Sequence, residues 1–328
     1  MINEIAQEFT DFLNEWHSYP EPYDDKLDAW LYGEYAKAKA KRNFIDWKSV
    51  YFSPSSANKD DRELYVKALK MPKDTDEVKP WQRRWTAQGT AVGDWLQREI
   101  LLAEKHFERY TLEKPPLVMA RTAGGQPFFE DFVHGQFKFE HDGQQFSIIG
   151  TCDGVLIHRP TGKRIGLEIK SKQTSYSETS ESRMKAPKDD HIAQVTCYSL
   201  MYDLDAYLIV YVNTSKKAWF MTDDEFAKSP DFRVFGVDVT EEMKRQVLDK
   251  FAGVARAVRE QTPPKLNLDK FRFNNFKRSC ALSLTDDEFN EIKDEVKRVM
   301  RSGLPNWKKE AYYEAFEFIR DVREQEAS

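Results

Sequence analysis

Cysteine is scarce. The chain of 328 residues has three, Cys152, Cys197 and Cys280, widely spaced. No CxxC pair occurs, which argues against a zinc site or a disulfide framework and points to a reducing, cytoplasmic setting. No run of 18 apolar residues is present, so no membrane span is expected. The stretch MINEIAQEFTDFLNEWHSYPEPYDD at residues 1–25 is acidic and amphipathic, without the basic, apolar and small-residue zones of a secretory signal. An excess of positive charge is also missing. The net charge of −5 argues against indiscriminate nucleic-acid binding, but a local basic groove stays open, because the field near a cleft depends on how charge is distributed. Internal repeats and low-complexity tracts are absent.

What is present suffices for a core: 40% of the residues are hydrophobic and 13% aromatic. The length suits one large domain or a core domain with helical additions. We expect a helical segment over 1–50, a core over 51–262 and a helical extension over 263–328. EYAKAKAKRNF gathers Lys37, Lys39, Lys41 and Arg42 on a solvated basic face. Ser53-Pro54-Ser55 marks a turn or cap ahead of a helix, and MPKDTDEVKP at 71–80 reads as a loop. Val92, Trp95, Leu96, Leu102, Ala103 and Phe107 recur at helical spacing, which predicts a long amphipathic helix ended by EKPP.

The period then changes to that of strands. HDG and RPTGK cut β-rich runs into strands near 134–140, 144–151, 154–159 and 164–170, expected to form an antiparallel meander. A polar loop over 171–188 leads to the helix DDHIAQVTCYSLMYDL, whose two leading aspartates suit its positive end. AYLIVYVN reads as a strand buried on both faces, with KAWFMT as its partner. Residues 240–261 form a further helix, and 285–326 two more, split by SGLP. The order predicts an α+β fold: a central mixed β-sheet flanked by helices.

IGLEIKSK, residues 165–172, poses the chemical question. Glu168 and Lys170 sit two apart inside an apolar strand and therefore share one face. The turn near 160–163 folds 154–159 back on 164–170, so Asp153 comes near Glu168, within the roughly 5–8 Å that separates cross-strand neighbours. Two such carboxylates suit one hard cation, Mg²⁺ or Mn²⁺, with the main-chain carbonyl of Ile169 as a further ligand. Lys170 would hold or deprotonate an attacking water, or balance charge on a phosphate. Taken alone, Glu168 and Lys170 make an ordinary strand ion pair and Asp153 a turn aspartate.

CDG at 152–154, LEIKSK at 167–172 and HIAQVTCYSL at 191–200 together resemble the PD-(D/E)XK nuclease superfamily, most of all its RecB-like, phage-type exonuclease branch. That pattern is an Asp, a spacer, Glu-x-Lys, then a helix with Gln-x-x-x-Tyr; Asp153, Glu168, Lys170, Gln194 and Tyr198 match it in order. FSPSSANKDDRELY and GTAVGDWLQRE resemble the branch's upstream motifs, and the resemblance covers roughly residues 50–220. It implies a restriction-endonuclease-like fold and an Mg²⁺- or Mn²⁺-dependent deoxyribonuclease, with exonuclease action on DNA ends in recombination, repair or phage replication. Asp153 and Glu168 would hold the metal with Ile169, Lys170 would position water, and Gln194 would assist. DNA is the implied partner, with a recombination or single-strand-binding protein as a further one and no membrane.

The sequence departs from the family twice. Gly93 stands where the family's upstream helix usually carries a histidine ligand; Asp94, Gln97 and Glu99 are open as substitutes. Some relatives hold an iron–sulfur cluster on four cysteines, whereas here Asp60 stands near the early position and Cys280 is alone in the late region, so no cluster is expected.

Around the core motif, residues 163–188 hold seven cations against three acids. This stretch reads as a phosphate-facing flap, with Lys172, Arg183, Lys185, His191 and Tyr198 as substrate contacts. Gln194 and Tyr198 share one helical face; the plain alternative is a polar rim packed on the sheet, and His191 is equally a surface histidine. KFRFNNFKR at 270–278 alternates phenylalanines and cations, which suits single-strand stacking or a half-buried strand. PWQRRW, with Trp81 and Trp85, is open in the same way. Two rival functions stand beside the nuclease: a catalytically weak nucleic-acid-binding or assembly subunit that keeps the fold, and a two-carboxylate glycosidase, in which Lys170 would have no duty.

Overall fold

The structure is a computed structural model and describes residues 1–41, 44–75 and 77–327. In chain order the helices are α1 (Ile2–Trp16), α2 (Asp25–Ala40), α3 (Asp61–Ala68), α4 (Pro80–His106), α5 (Glu108–Thr111), α6 (Asp189–Tyr202), α7 (Asp223–Lys228), α8 (Glu241–Glu260), α9 (Leu268–Phe271), α10 (Lys277–Leu282), α11 (Asp286–Arg301) and α12 (Asn306–Ala327). The strands are β1 (Tyr51–Phe52), β2 (Leu117–Met119), β3 (Gly135–His141), β4 (Gln144–Gly150), β5 (Gly154–His158), β6 (Lys163–Lys172), β7 (Ala206–Asn213) and β8 (Phe232–Asp238). The fold is α+β, with mixed sheets flanked by helices. No helix among the described residues is long and apolar enough to cross a membrane.

The chain forms two compact units. The first comprises Met1–Asp46, Val78–Phe137 and Ile149–Arg245; the second comprises Trp47–Glu77, Lys138–Ile148 and Gln246–Ser328.

The first unit is built on a five-stranded sheet in the order β2-β5-β6-β7-β8. β5 and β6 form an antiparallel hairpin in the register Gly154↔Leu167 to His158↔Lys163. Gly162, at φ +69°, closes its turn in the left-handed region that glycine enters without strain. β6 and β7 are parallel, Gly166↔Tyr207 to Lys172↔Asn213, so the chain needs a crossover between them, and α6 supplies it. β6 alternates as a strand between two layers must. Ile165, Leu167 and Ile169 join the core shared with α1 and α4, together with Leu208, Val210 and Val212 of β7. Gly166, Glu168 and Lys170 face the other way, toward α6. Gly166 has a specific cause: a Cβ there would lie 1.9 Å from Cε1 of Tyr207.

The second unit holds the three-stranded sheet β1-β4-β3 and the C-terminal helices. Phe251 of α8 stacks on Phe52 at 4.2 Å between ring centroids. Arg62 of α3 is fully buried and is held by Glu288 Oε1 at 2.8 Å, Ser283 Oγ at 2.9 Å and the Pro264 carbonyl at 2.8 Å.

Several expectations need correction. The four predicted strands lie at β3, β4, β5 and β6, but they are no single meander: β3 and β4 belong to one sheet and β5 and β6 to another. KAWFMT forms no strand, and Trp219 and Phe220 are 92% and 89% exposed. β8 pairs with β7 instead. KFRFNNFKR is also no strand. It contains the end of α9 and the start of α10, with Phe271 buried and Phe273 exposed, so its phenylalanines share no face. The lysines at 37, 39 and 41 need no correction: all three are exposed, Lys37 pairing with Glu34 at 2.6 Å and Lys39 with Asp131 at 2.6 Å, while Arg42 lies outside the described residues.

Candidate active site

β6 outruns β5. The last ladder pair is Gly154↔Leu167, so the amide of Ile169 has no strand partner on that side. Asp153, one residue before β5, fills the gap: its Oδ2 accepts from Ile169 N at 2.7 Å. N–H and C=O of one strand residue point to the same side, which puts the Ile169 carbonyl at the same open edge. A hairpin of unequal arms thus seats a carboxylate beside Glu168.

Glu168 is 1% exposed. Its Oε1 meets Lys170 Nζ at 2.5 Å, while its Oε2 is buried with no hydrogen-bond partner among the described residues. Lys170 Nζ also donates to Gln194 Oε1 at 3.0 Å, and Gln194 Nε2 donates to the Tyr198 hydroxyl oxygen at 3.2 Å. Gln194 and Tyr198 lie one turn apart on α6, so a single helical face carries the chain of hydrogen bonds down to the sheet.

The electrostatics follow from enclosure. Burial first, then the Glu168 charge, raises Asp153 to about 8. The residue as a whole keeps partial exposure, but its carboxylate is closed in by Glu168, Ile169 and Lys170. Burial also raises Glu168, against the lowering effect of Lys170. Burial pulls Lys170 down, yet Glu168 and Asp153 outweigh it and the net shift is upward. Lys170 is therefore an ammonium.

The structure brings Asp153, Glu168, Lys170, Gln194 and Tyr198 together, with Ile169 at the same edge. His191 and Lys172 stand beside the group and meet at Tyr211: His191 Nδ1 lies 2.7 Å from the Tyr211 hydroxyl, and Lys172 Nζ lies 5.2 Å from the ring centroid. Burial, then Lys170, lowers His191 to about 4, so the imidazole is neutral at ordinary pH. Arg183 and Lys185 are exposed, and no hydrogen bond or ion pair among the described residues joins their side chains to the cluster.

Among the three residues open as substitutes for the family histidine, Gln97 reaches the site. It is 1% exposed and donates through Nε2 to the Asp153 carbonyl at 2.8 Å; its Oε1 is buried without a partner among the described residues. Glu99 instead accepts from Trp16 Nε1 at 2.8 Å, and Asp94 is exposed.

Sequence reasoning missed Glu130. Its backbone is left-handed at φ +46°, a costly state for a glutamate. Its amide donates to the Cys152 carbonyl at 3.0 Å, and the Glu130 carbonyl accepts from Thr151 Oγ1. These bonds tie it to the two residues ahead of Asp153. Burial and then Asp153 raise its pKa. No local signal in FFEDFV could have revealed it.

No family model matches this chain, and no curated protein matches it. Among solved structures the chain is similar to an alkaline exonuclease from Laribacter hongkongensis, at 13% identity and a TM-score of 0.36 over 66% of this chain and 91% of that one. The same enzyme in complex with dAMP gives 13% and 0.37, over 66% and 90%. A phage-related exonuclease from Haemophilus somnus 129PT gives 14% and 0.37, over 65% and 95%.

Two enclosed carboxyls beside one ammonium are costly to ionise together, which is why both are raised, and a cation between them would relieve that cost. No three His, Cys, Asp or Glu side chains converge on one point among the described residues. The donor set is thus two carboxylates, with main-chain, amide and water oxygens for the remainder. It fits a hard divalent cation that keeps several waters, and does not fit a soft one.

Proposed function

We propose that this protein is a metal-dependent nuclease hydrolysing phosphodiester bonds in DNA. The observation that carries the reading is the buried, unpartnered oxygen of Glu168 beside Asp153, with Lys170 fixed between Glu168 and Gln194. Asp153 and Glu168 would hold Mg²⁺ or Mn²⁺ at the Ile169 edge. When bound, the cation supplies Lewis acidity at the phosphate and makes water more acidic. Lys170, as an ammonium, donates hydrogen bonds rather than accepting a proton; it orients the attacking water and offsets charge growing on the phosphate oxygens. Gln194 fixes the lysine tip, and Tyr198 anchors Gln194. Neutral His191 and cationic Lys172 are placed to meet the backbone of the bound strand, with the exposed Arg183 and Lys185 reaching it from the connection between β6 and α6. The motif resemblance favours exonuclease action on DNA ends.

The test is a time course on end-labelled linear and covalently closed circular DNA with Mg²⁺ or Mn²⁺. Linear DNA is expected to be degraded, and EDTA to stop it. Lys170→Ala should slow hydrolysis by about 100-fold or more; a variant that cuts at the wild-type rate overturns the mechanism. A second reading is favoured by the amide of Gln97, a weak metal ligand where a charged one would serve: a DNA-binding subunit without turnover. Metal-independent binding with no cleavage under any condition would select it.

A further inference from the structure

α4 is 27 residues long, but the core covers only its C-terminal part. Val92, Leu96 and Ile100 form its buried stripe. At helical spacing that stripe continues toward the N-terminus as Gly89, Trp85 and Trp81. At Gly89 the helix crosses the end of β6: a Cβ there would lie 3.3 Å from Ser171 Oγ. One turn earlier, Gln173 Nε2 donates to the Trp85 carbonyl at 3.2 Å. Before that the helix stands clear. Every residue from 81 to 88 is exposed, Trp85 at 47% and Trp81 at 61%.

Two exposed tryptophans on one stripe are costly unless something covers them. Charge indicates what. Arg83 and Arg84 form no ion pair among the described residues, and no acid lies between Lys79 and Gly93. Planar apolar faces among uncompensated guanidinium groups match single-stranded nucleic acid, whose bases stack and whose phosphates are anionic. The position matches too. Gln97, on the same helix, contacts Asp153. Trp85 lies twelve residues before it, about 18 Å along the axis, or about five stacked nucleotides at ~3.4 Å each.

We propose that the first turns of α4 are a stacking ledge for single-stranded DNA leading to or from the site, with Trp81 and Trp85 holding bases and Arg83 and Arg84 meeting phosphates. The proposal rests on the nuclease reading and extends it to the substrate's form: a strand that is unpaired for several nucleotides beside the cut.

The test is binding without turnover. Wild-type protein and the Trp81→Ala/Trp85→Ala variant are titrated in EDTA with labelled oligothymidylates of about 20 and about four nucleotides, followed by fluorescence anisotropy. The variant is expected to lose about 10- to 100-fold in affinity for the long strand and nothing for the short one. Trp81→Phe/Trp85→Phe should keep most of the affinity, and circular dichroism should show an unchanged fold. Equal long-strand affinity in wild type and alanine variant overturns the ledge and leaves the nuclease reading intact. The same equality, with self-association lost in the variant, overturns it in favour of a protein-docking face. Failure of the wild type to bind the long strand also overturns the ledge, while cleavage of linear DNA with Mg²⁺ or Mn²⁺ decides the nuclease reading separately.

Discussion

Glu168 is a buried acid with one satisfied and one orphaned oxygen. Such an atom costs about 1–3 kcal/mol, and the layer that holds it is tight. Gly166, two residues away on the same face, lies against the ring of Tyr207. Gly166→Ala should therefore destabilise by about 1–3 kcal/mol through overpacking, read as a lower urea midpoint; an unchanged midpoint would show that the ring swings aside freely. The Tyr207 hydroxyl is buried with no partner among the described residues. Tyr207→Phe should be neutral or stabilise by up to about 1 kcal/mol, and a marked loss of stability would reveal a hidden partner.

Helix ends carry the next set of effects. Asp24 caps α2 and joins it to the last turn of α4. It takes hydrogen bonds from Lys105, from Leu27 N at 3.0 Å and from His106 Nε2 at 2.7 Å, which hold its carboxyl well below the usual carboxylate range. A depressed folded-state value means that the stabilisation is present above the unfolded pKa near 4 and is lost as pH falls. Asp24→Asn should lower the melting temperature by about 2–4 °C at neutral pH, and the gap should narrow in acid. A gap that stays constant with pH would show that the charge is irrelevant. Strands show the limits of local reading. AYLIVYVN announces β7 by composition alone. KAWFMT is also mostly apolar, yet it lies exposed, and β8 occupies the edge of β7. β-propensity states what a segment tolerates, and the sheet edge takes only one occupant.

The two units interleave along the chain, so neither is a contiguous piece. Arg62 shows the consequence. It is buried in α3, but its partners Pro264, Ser283 and Glu288 come from about 200 residues later. Glu288→Ala should cost about 3 kcal/mol by leaving a buried guanidinium short of charge. Ending the chain at 262 should yield a protein that is insoluble or unfolds without cooperativity; a soluble fragment with a sharp transition would show that the helical extension is dispensable.

The sequence by itself determined the hairpin of β5 and β6 and the order of Asp153, Glu168, Lys170, Gln194 and Tyr198, because turn chemistry, the two-residue strand period and the four-residue helix period are all written in contiguous residues. Tertiary structure alone decided the division of four neighbouring strands between two sheets, the contact of Gln97 rather than Asp94 or Glu99 with Asp153, and the strained Glu130 beside Asp153. It also left Trp81 and Trp85 bare on the same stripe that buries Leu96. The physical reason is that a period states which residues share a face, whereas the cover on that face, and the charge opposite it, arrive from distant parts of the chain.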